Sequence, residues 1–167
     1  DFLAENEYVY GLINGLQIMV IQEEASEVVT LSLTFKTGTF TEKKGYEGMA
    51  YLYQKLFTKK LTNYIESGVS KQGDVEISDK AFLEMTLFQL KFAKNLLNPV
   101  LNSLYKAVSD TDVDDDELAA AFKETQAEHL IRSNQQSSLI QSKIALVLWD
   151  NLYRRRSDRK STRLNSS

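Results

Sequence analysis

The most informative segment of the sequence is NGLQIMVIQEEASEVVTLSLTFKTGTFTEKKGYEGMAYLYQKLF, residues 14–57. Asn14-Gly15 suits the positive backbone angles of a two-residue type I′ turn, and apolar runs at 8–13 and 16–21 flank it. Together they predict a β-hairpin. Apolar and polar residues then alternate over 29–35, which predicts a third strand with one buried face.

A helix and two more strands are predicted in the middle of the chain. Apolar residues recur at helical spacing over 49–61, with no Gly or Pro between them, and predict the first helix. The alternation at 74–78 and the β-type run at 82–92 predict two strands. Asn98-Pro99 then offers an N-cap and a first-turn proline for a second helix that continues to residue 108.

The last part of the chain is predicted to be helical. Asp114 and Glu117 have capping-box spacing before an alanine-rich segment, which predicts a third helix. A final helix is predicted at 138–154. Strands, one helix, more strands and then helices, without regular βαβ alternation, predict the α+β class. The expected architecture is a two-layer sandwich of a mainly antiparallel sheet with the helices on one face.

Composition and charge exclude several classes of protein. The 167 residues include no Cys and one His, so a disulfide framework and thiolate metal sites are excluded, and a self-contained zinc site is not expected. A formal net charge of -3 lacks the basic excess that nucleic-acid binding requires. The most apolar run, 144–149, is too short to cross a bilayer, so no transmembrane segment is predicted.

Residues 158–167, DRKSTRLNSS, are interpreted separately from the rest. The run is polar and lacks periodicity, and its reverse translation can give a string that looks like a common sequencing-library adapter. We interpret it as an adapter-derived or disordered tail and exclude it from the fold. Residues 1–157 are expected to form one domain.

Four groups of residues match the framework of a known family. They are Asn14-Gly15-Leu16, Gly38-Thr39, Gly48-Met49-Ala50 and Leu56-Phe57. This pattern resembles the N-terminal domain of the insulinase/pitrilysin family of zinc peptidases, which includes the mitochondrial processing peptidase and its non-catalytic relatives. The resemblance covers nearly all of residues 7–154. It implies an insulinase-like domain that is incomplete at the C-terminus.

The resemblance fails at the zinc motif. Family members carry H-x-x-E-H on the first helix, where two imidazoles bind zinc and the Glu takes a proton from bound water. The aligned residues here are Tyr51-Leu52-Tyr53-Gln54-Lys55. A phenol, an amide and an ammonium replace the ligands and the base, so neither zinc nor a catalytic residue is expected. The resemblance puts the family's third ligand at Glu128, with Glu124 as the less favoured register.

Two other groups of residues imitate metal sites. His129 follows Glu128, but a lone histidine cannot complete a four-ligand zinc set, and we interpret it as an ordinary helix residue. Asp110, Asp112 and Asp114 imitate the start of a calcium loop, yet position six is not Gly and position twelve is not Glu. We interpret these carboxylates as an acidic cluster over a helix N-terminus.

The resemblance implies a non-catalytic domain that pairs with an active homologous subunit, or with a second half of the same chain, to enclose unfolded peptide. Peptide would add to an edge strand, and the candidate residues are Gln72, Asp74, Val75, Glu76 and Ile77. No cofactor and no nucleic-acid partner are expected.

Two other interpretations stay open. One is a fragment of an active zinc endopeptidase whose catalytic motif lies outside this segment. The other is an unrelated peptide-binding scaffold, which would have a different strand order. The sequence does not establish the compartment; the family resemblance is compatible with the bacterial periplasm and with the mitochondrial matrix.

Overall fold

The computed structural model of the protein describes residues 4–43, 45–46, 48–69, 74–134, 140 and 144. The elements in chain order are β1 (Glu7–Gly11), β2 (Gln17–Ile21), β3 (Val28–Phe35), α1 (Met49–Gly68), β4 (Val75–Ala81), β5 (Thr86–Ala93), a 3₁₀ turn (Lys94–Leu96), α2 (Leu97–Ser109) and α3 (Asp115–Asn134). Helices combined with antiparallel strands confirm the predicted α+β class. The tail at 158–167 and, apart from residues 140 and 144, the helix predicted at 138–154 lie outside the described residues.

β1 and β2 form the predicted antiparallel hairpin as a separate two-stranded sheet. Its loop differs from the predicted two-residue turn. The Gly15 N–H donates to Leu12 O at 2.9 Å, and the Leu12 N–H donates to Leu16 O at 2.8 Å. The turn is therefore centred on Ile13-Asn14, and Gly15 follows it with a φ of 83°. A three-residue loop with glycine in the left-handed region also suits an Asn-Gly pair, so the sequence could not separate the two turns.

The second sheet has the order β3-β5-β4 and is antiparallel, so β5 is central. Along β5, fully buried residues alternate with less buried ones from Thr86 onward. This pattern is typical of a strand that is covered on one face. The prediction that this strand starts at residue 82 was wrong, because the chain turns there and the Phe82 N–H donates to Met85 O at 2.8 Å.

The helices cover one face of this sheet and bury the core. The buried side chains are Phe57, Leu61, Ile65 and Val69 from α1 and the residue after it, Phe88, Leu90 and Phe92 from β5, and Val100 and Ala107 from α2. Phe88 is central, since it is fully buried and its ring centroid lies 4.6 Å from that of Phe57. Each large apolar side chain buried here contributes about 1.5–3 kcal/mol to folding.

The helix ends differ from their predictions. α1 continues to Gly68, because Ile65 extends the buried stripe one turn beyond Leu61. α2 starts before Asn98, which is not the N-cap that was predicted: the 3₁₀ turn leads into the helix and Leu96 occupies the cap position. Pro99 still lies in the first turn, where its missing N–H leaves no helical hydrogen bond unmade.

Gly38 lets two loops approach closely just before α1. A Cβ at this position would lie 2.5 Å from Leu83 O and 2.6 Å from the Met85 nitrogen. The approach is held by the Phe40 N–H, which donates to Leu83 O at 2.8 Å. Only a residue without a Cβ permits this contact, which connects the framework Gly-Thr pair to a specific packing requirement.

Lys60 joins α1 to the connection between α2 and α3. Its Nζ lies 3.1 Å from Asp110 Oδ1 and also donates to the main-chain oxygens of Asp110 and Asp112. The Tyr64 hydroxyl donates to Asp110 Oδ2 at 2.9 Å. The hydrogen bond from Lys60, followed by that from Tyr64, lowers the pKa of Asp110 below its ordinary value.

The substitution Asp110→Asn should therefore destabilise the protein at neutral pH and have progressively less effect in acid. Because the native pKa lies below the ordinary 3.8, the stabilisation by the carboxylate is present above 3.8 and is lost as the pH falls through the native pKa. Urea unfolding of both proteins between about pH 2 and pH 7 measures the difference. A difference in unfolding free energy that stayed constant over this range would contradict the assignment.

Candidate functional site

Tyr51, Gln54 and Lys55, which the sequence resemblance aligns with a zinc motif, lie in the first two turns of α1. The start of this helix is fixed by the preceding loop. Gly48 has a φ of 97°. Glu42 Oε1 accepts hydrogen bonds from the N–H groups of Gly48 at 3.1 Å and Ala50 at 3.0 Å. A carboxylate at a helix N-terminus satisfies unpaired donors and interacts favourably with the helix dipole.

Tyr51, Gln54 and Lys55 line one cavity of ≈ 460 Å³. Their spacing of three and four residues places them on neighbouring positions of one helix face. The other lining residues are Asp79, Lys80, Ala81, Glu128 and Ile131. The structure therefore brings Glu128 of α3 to Tyr51, Gln54 and Lys55 of α1.

Lys55 is the cation at the centre of this site. Its Nζ lies 2.6 Å from Glu128 Oε1 and 3.3 Å from Glu124 Oε1. The hydrogen bond to Glu128 raises the pKa of Lys55 above its ordinary 10.5, although partial burial acts in the opposite direction. Lys55 is therefore an ammonium at neutral pH and has no lone pair to offer a metal. Both registers considered for the α3 glutamate contact this one cation.

Gln54 connects α1 to strand β4. The residue is 7% exposed, and its side-chain Nε2 donates to Asp79 Oδ1 at 2.6 Å. The Thr58 hydroxyl donates to Asp79 Oδ2, so both carboxylate oxygens are bound by α1. Gln54 Oε1 is buried and accepts no hydrogen bond from the described residues. The amide is thus oriented by Asp79, which can only accept from it.

Asp79 and Thr58 are the site residues that sequence reasoning missed. Along β4, Asp79 shares its helix-facing side with Val75, Ile77 and Ala81. A carboxylate in this apolar set was a visible exception to the period-two pattern. Its partners depend on how α1 packs on β4, which one sequence does not reveal.

The other sequence candidates lie elsewhere or outside the described part. Asp110 and Asp112 belong to the Lys60 contacts. His129 is in α3, but its side chain is not among those described. Within the described ranges, no three His, Cys, Asp or Glu side chains form a group that could hold a metal ion. No helix in the part of the chain that the structure describes has the length and hydropathy of a membrane span.

The peptide-binding candidates from Asp74 to Ile77 lie at the start of β4, whereas Gln72 lies outside the described residues. β4 pairs with β5 on one side, and no strand within the described ranges pairs with its other side. Val75 and Ile77 pack against the core, while Glu76 is exposed. The free edge of such a strand presents main-chain N–H and C=O groups to an added strand.

The side chains at this site do not match the ligand set of zinc. Zinc takes four ligands from thiolate, imidazole, carboxylate and water. Tyr51, Gln54 and Lys55 supply a phenol, an amide and an ammonium, and the carboxylate of Glu128 is bound to Lys55. The arrangement suits hydrogen bonds and ion pairs between structural elements.

Comparison with protein families gives a match over most of the chain. The model of the family described as insulinase (peptidase family M16) matches residues 17–155. Among curated proteins, none matches the chain.

Two solved structures have a similar fold. A protease from Helicobacter pylori superposes with a TM-score of 0.66 at 18% identity, over 80% of this chain and 33% of that one. A peptidase M16 inactive domain from Pseudomonas fluorescens superposes with a TM-score of 0.70 at 14% identity, over 89% of this chain and 37% of that one. The chain thus spans about a third of the length of each of these structures.

Proposed function

The chain belongs to the insulinase family, peptidase family M16, and we propose that it is a non-catalytic peptidase-like domain of that family. It pairs with an active homologous half or subunit, and the two enclose and bind unfolded peptide. This domain supplies binding surface and takes no zinc. The fold that it shares with an M16 inactive domain supports this assignment.

The observation that carries the proposal is the position of Lys55. In the family motif, this position belongs to a histidine ligand. Here its ammonium is bonded to Glu128 at 2.6 Å and to Glu124 at 3.3 Å. A metal cation at the same place would be repelled by the ammonium and would compete with it for the carboxylates. Gln54, where the family has its general base, is an uncharged donor to Asp79.

Peptide binding in this proposal uses the free edge of β4. An extended peptide would form main-chain hydrogen bonds to this edge, and its alternate side chains would face α1. Val75 and Ile77 supply apolar contact on that side, and Glu76 supplies a charge on the opposite side. The cavity at Tyr51 reaches Lys80 and Ala81 at the other end of the same strand.

Hydrogen exchange with a synthetic, proline-free peptide that is unfolded in solution tests the binding surface. We expect amides of β4 to exchange about tenfold more slowly when the peptide is bound, because a new strand protects them. The peptide itself should remain uncut. β3, the other edge of the same sheet, is the matched control and should be unchanged.

A second peptide, with proline at alternate positions, sharpens the test. Proline lacks the N–H that an added strand must donate, so this peptide should give no protection of β4. Protection at β3 instead of β4, or equal protection by both peptides, would contradict binding at the β4 edge.

The second candidate function is favoured by the likeness to the Helicobacter pylori protease. In it, the chain is a fragment of an active zinc endopeptidase whose catalytic motif lies outside this segment. The adjoining coding sequence distinguishes the two candidates. An H-x-x-E-H motif within a homologous copy of the hairpin, strand and helix framework supports the pairing proposal, whereas a motif without that framework supports the fragment.

A further inference from the structure

The degenerate zinc-motif positions bind two other elements to α1. Lys55 contacts Glu124 and Glu128 of α3. One residue earlier, Gln54 contacts Asp79 of β4, and Thr58 contacts the same carboxylate from the next turn. Three side chains of one helix face thus reach both a second helix and the edge strand.

We propose that Gln54, Lys55 and Thr58 form a metal-free clasp that holds α3 and the edge strand β4 against α1. In this clasp Lys55 is the cation that joins the carboxylates, and Asp79 is a positioning residue for the β4 edge. The consequence for peptide binding rests on the proposed function above. The clasp itself does not, because it can be measured without a peptide.

The β4 arm depends on a specific pairing of donor and acceptor. Asp79 carries two acceptor oxygens, and Gln54 Nε2 and the Thr58 hydroxyl donate to them. A glutamate at position 54 would set two carboxylate oxygens against each other at the 2.6 Å of the present hydrogen bond. One of them would have to take up a proton or move away, so Asp79 selects an amide at this position.

The α3 arm depends on the charge of Lys55. The side chain of Lys55 is 24% exposed, whereas that of Lys59, one turn further along α1, is 53% exposed. Lys59 Nζ lies 3.7 Å from Glu117 Oε1. A half-exposed pair of this length contributes little to stability. Lys59 is therefore a matched control on the same helix, facing the same partner helix.

A swap of donor and acceptor tests the β4 arm. Gln54→Glu should lower the melting temperature by about 4–8 °C and increase exchange of the β4 amides about tenfold. The double variant Gln54→Glu/Asp79→Asn reverses the roles and keeps the net charge, so it should recover at least half of both losses. A general packing defect at position 54 would not be rescued by Asp79→Asn.

The α3 arm is tested by Lys55→Met, which keeps a side chain of similar length and removes the charge. We expect a fall in melting temperature of about 3–6 °C and faster exchange in α3, while Lys59→Met stays within about 1 °C of the wild type. If Gln54→Glu does not fold, Thr58→Val removes one hydrogen bond to Asp79 and should still speed exchange of β4.

Three results would overturn the clasp. They are a Gln54→Glu protein as stable as the wild type, a double variant no better than the single one, and equal effects of Lys55→Met and Lys59→Met. With the peptide, loss of binding in Gln54→Glu that the double variant restores would link the clasp to the edge. If the substitutions change stability as expected but neither the wild type nor any variant binds the peptide, the proposed function is contradicted and the clasp is not.

Discussion

The combined substitutions Tyr51→His, Gln54→Glu and Lys55→His, made together with Asp79→Asn, should create a zinc site in this cavity. Two imidazoles and Glu128 would then line the cavity, with water as a fourth ligand. Removing Lys55 frees Glu128 from the ion pair it now makes at 2.6 Å. Asp79→Asn is included because a carboxylate at position 54 would otherwise face the Asp79 carboxylate.

The expected effect is large. We expect a zinc Kd of about 1 μM or tighter for this variant, against no saturable binding by the wild type up to about 1 mM, a gain of roughly 4 kcal/mol or more. Isothermal titration at neutral pH measures it. Adding Glu128→Gln should remove the binding, whereas Glu124→Gln should leave most of it, since Glu124 lines the neighbouring cavity. A folded variant that binds no zinc would show that the cavity lacks the required geometry.

Phe88→Ala should cause the largest loss of stability among core substitutions. Phe88 is fully buried. Its ring centroid lies 4.6 Å from that of Phe57 and 5.9 Å from that of Phe35. Truncation removes these contacts and leaves a cavity between the sheet and α1, which costs about 3–5 kcal/mol. Urea unfolding followed by circular dichroism measures the change in unfolding free energy.

Leu87→Ala is the matched control. Leu87 is the neighbour of Phe88 in β5, but it belongs to the opposite, less buried face. Its truncation should cost about 1 kcal/mol or less, because little of the helix-facing core is disturbed. Equal costs for the two substitutions would mean that the helices do not pack on the face assigned to Phe88.

Local patterns in the sequence were sufficient for most of the fold. The alternation in β3 and the helical spacing after Gly48 depend on neighbouring residues, and both elements are present. The errors came where a local signal had two solutions. Asn98 suited an N-cap, but the preceding 3₁₀ turn started α2 earlier, and Asn14-Gly15 suited two kinds of hairpin loop.

From the sequence, only the part of the site that lies on α1 was predictable by local geometry. Positions 51, 54 and 55 share a face because of helical geometry, which required no tertiary information. Glu128 came from the family resemblance. The role of Asp79 depends on β4 lying across α1, a contact between residues 25 positions apart. One sequence supplies no direct evidence for such a pair, so Gln54 could be interpreted as a lost base but not as the partner of Asp79.

We propose that protein side chains fill the role of a metal at this site. Equilibrium dialysis of the purified wild-type chain against excess zinc, followed by metal analysis, tests it most directly. We expect no stoichiometric zinc, and no difference in zinc content between the wild type and Glu128→Gln. One zinc per chain that disappears in Glu128→Gln would contradict it.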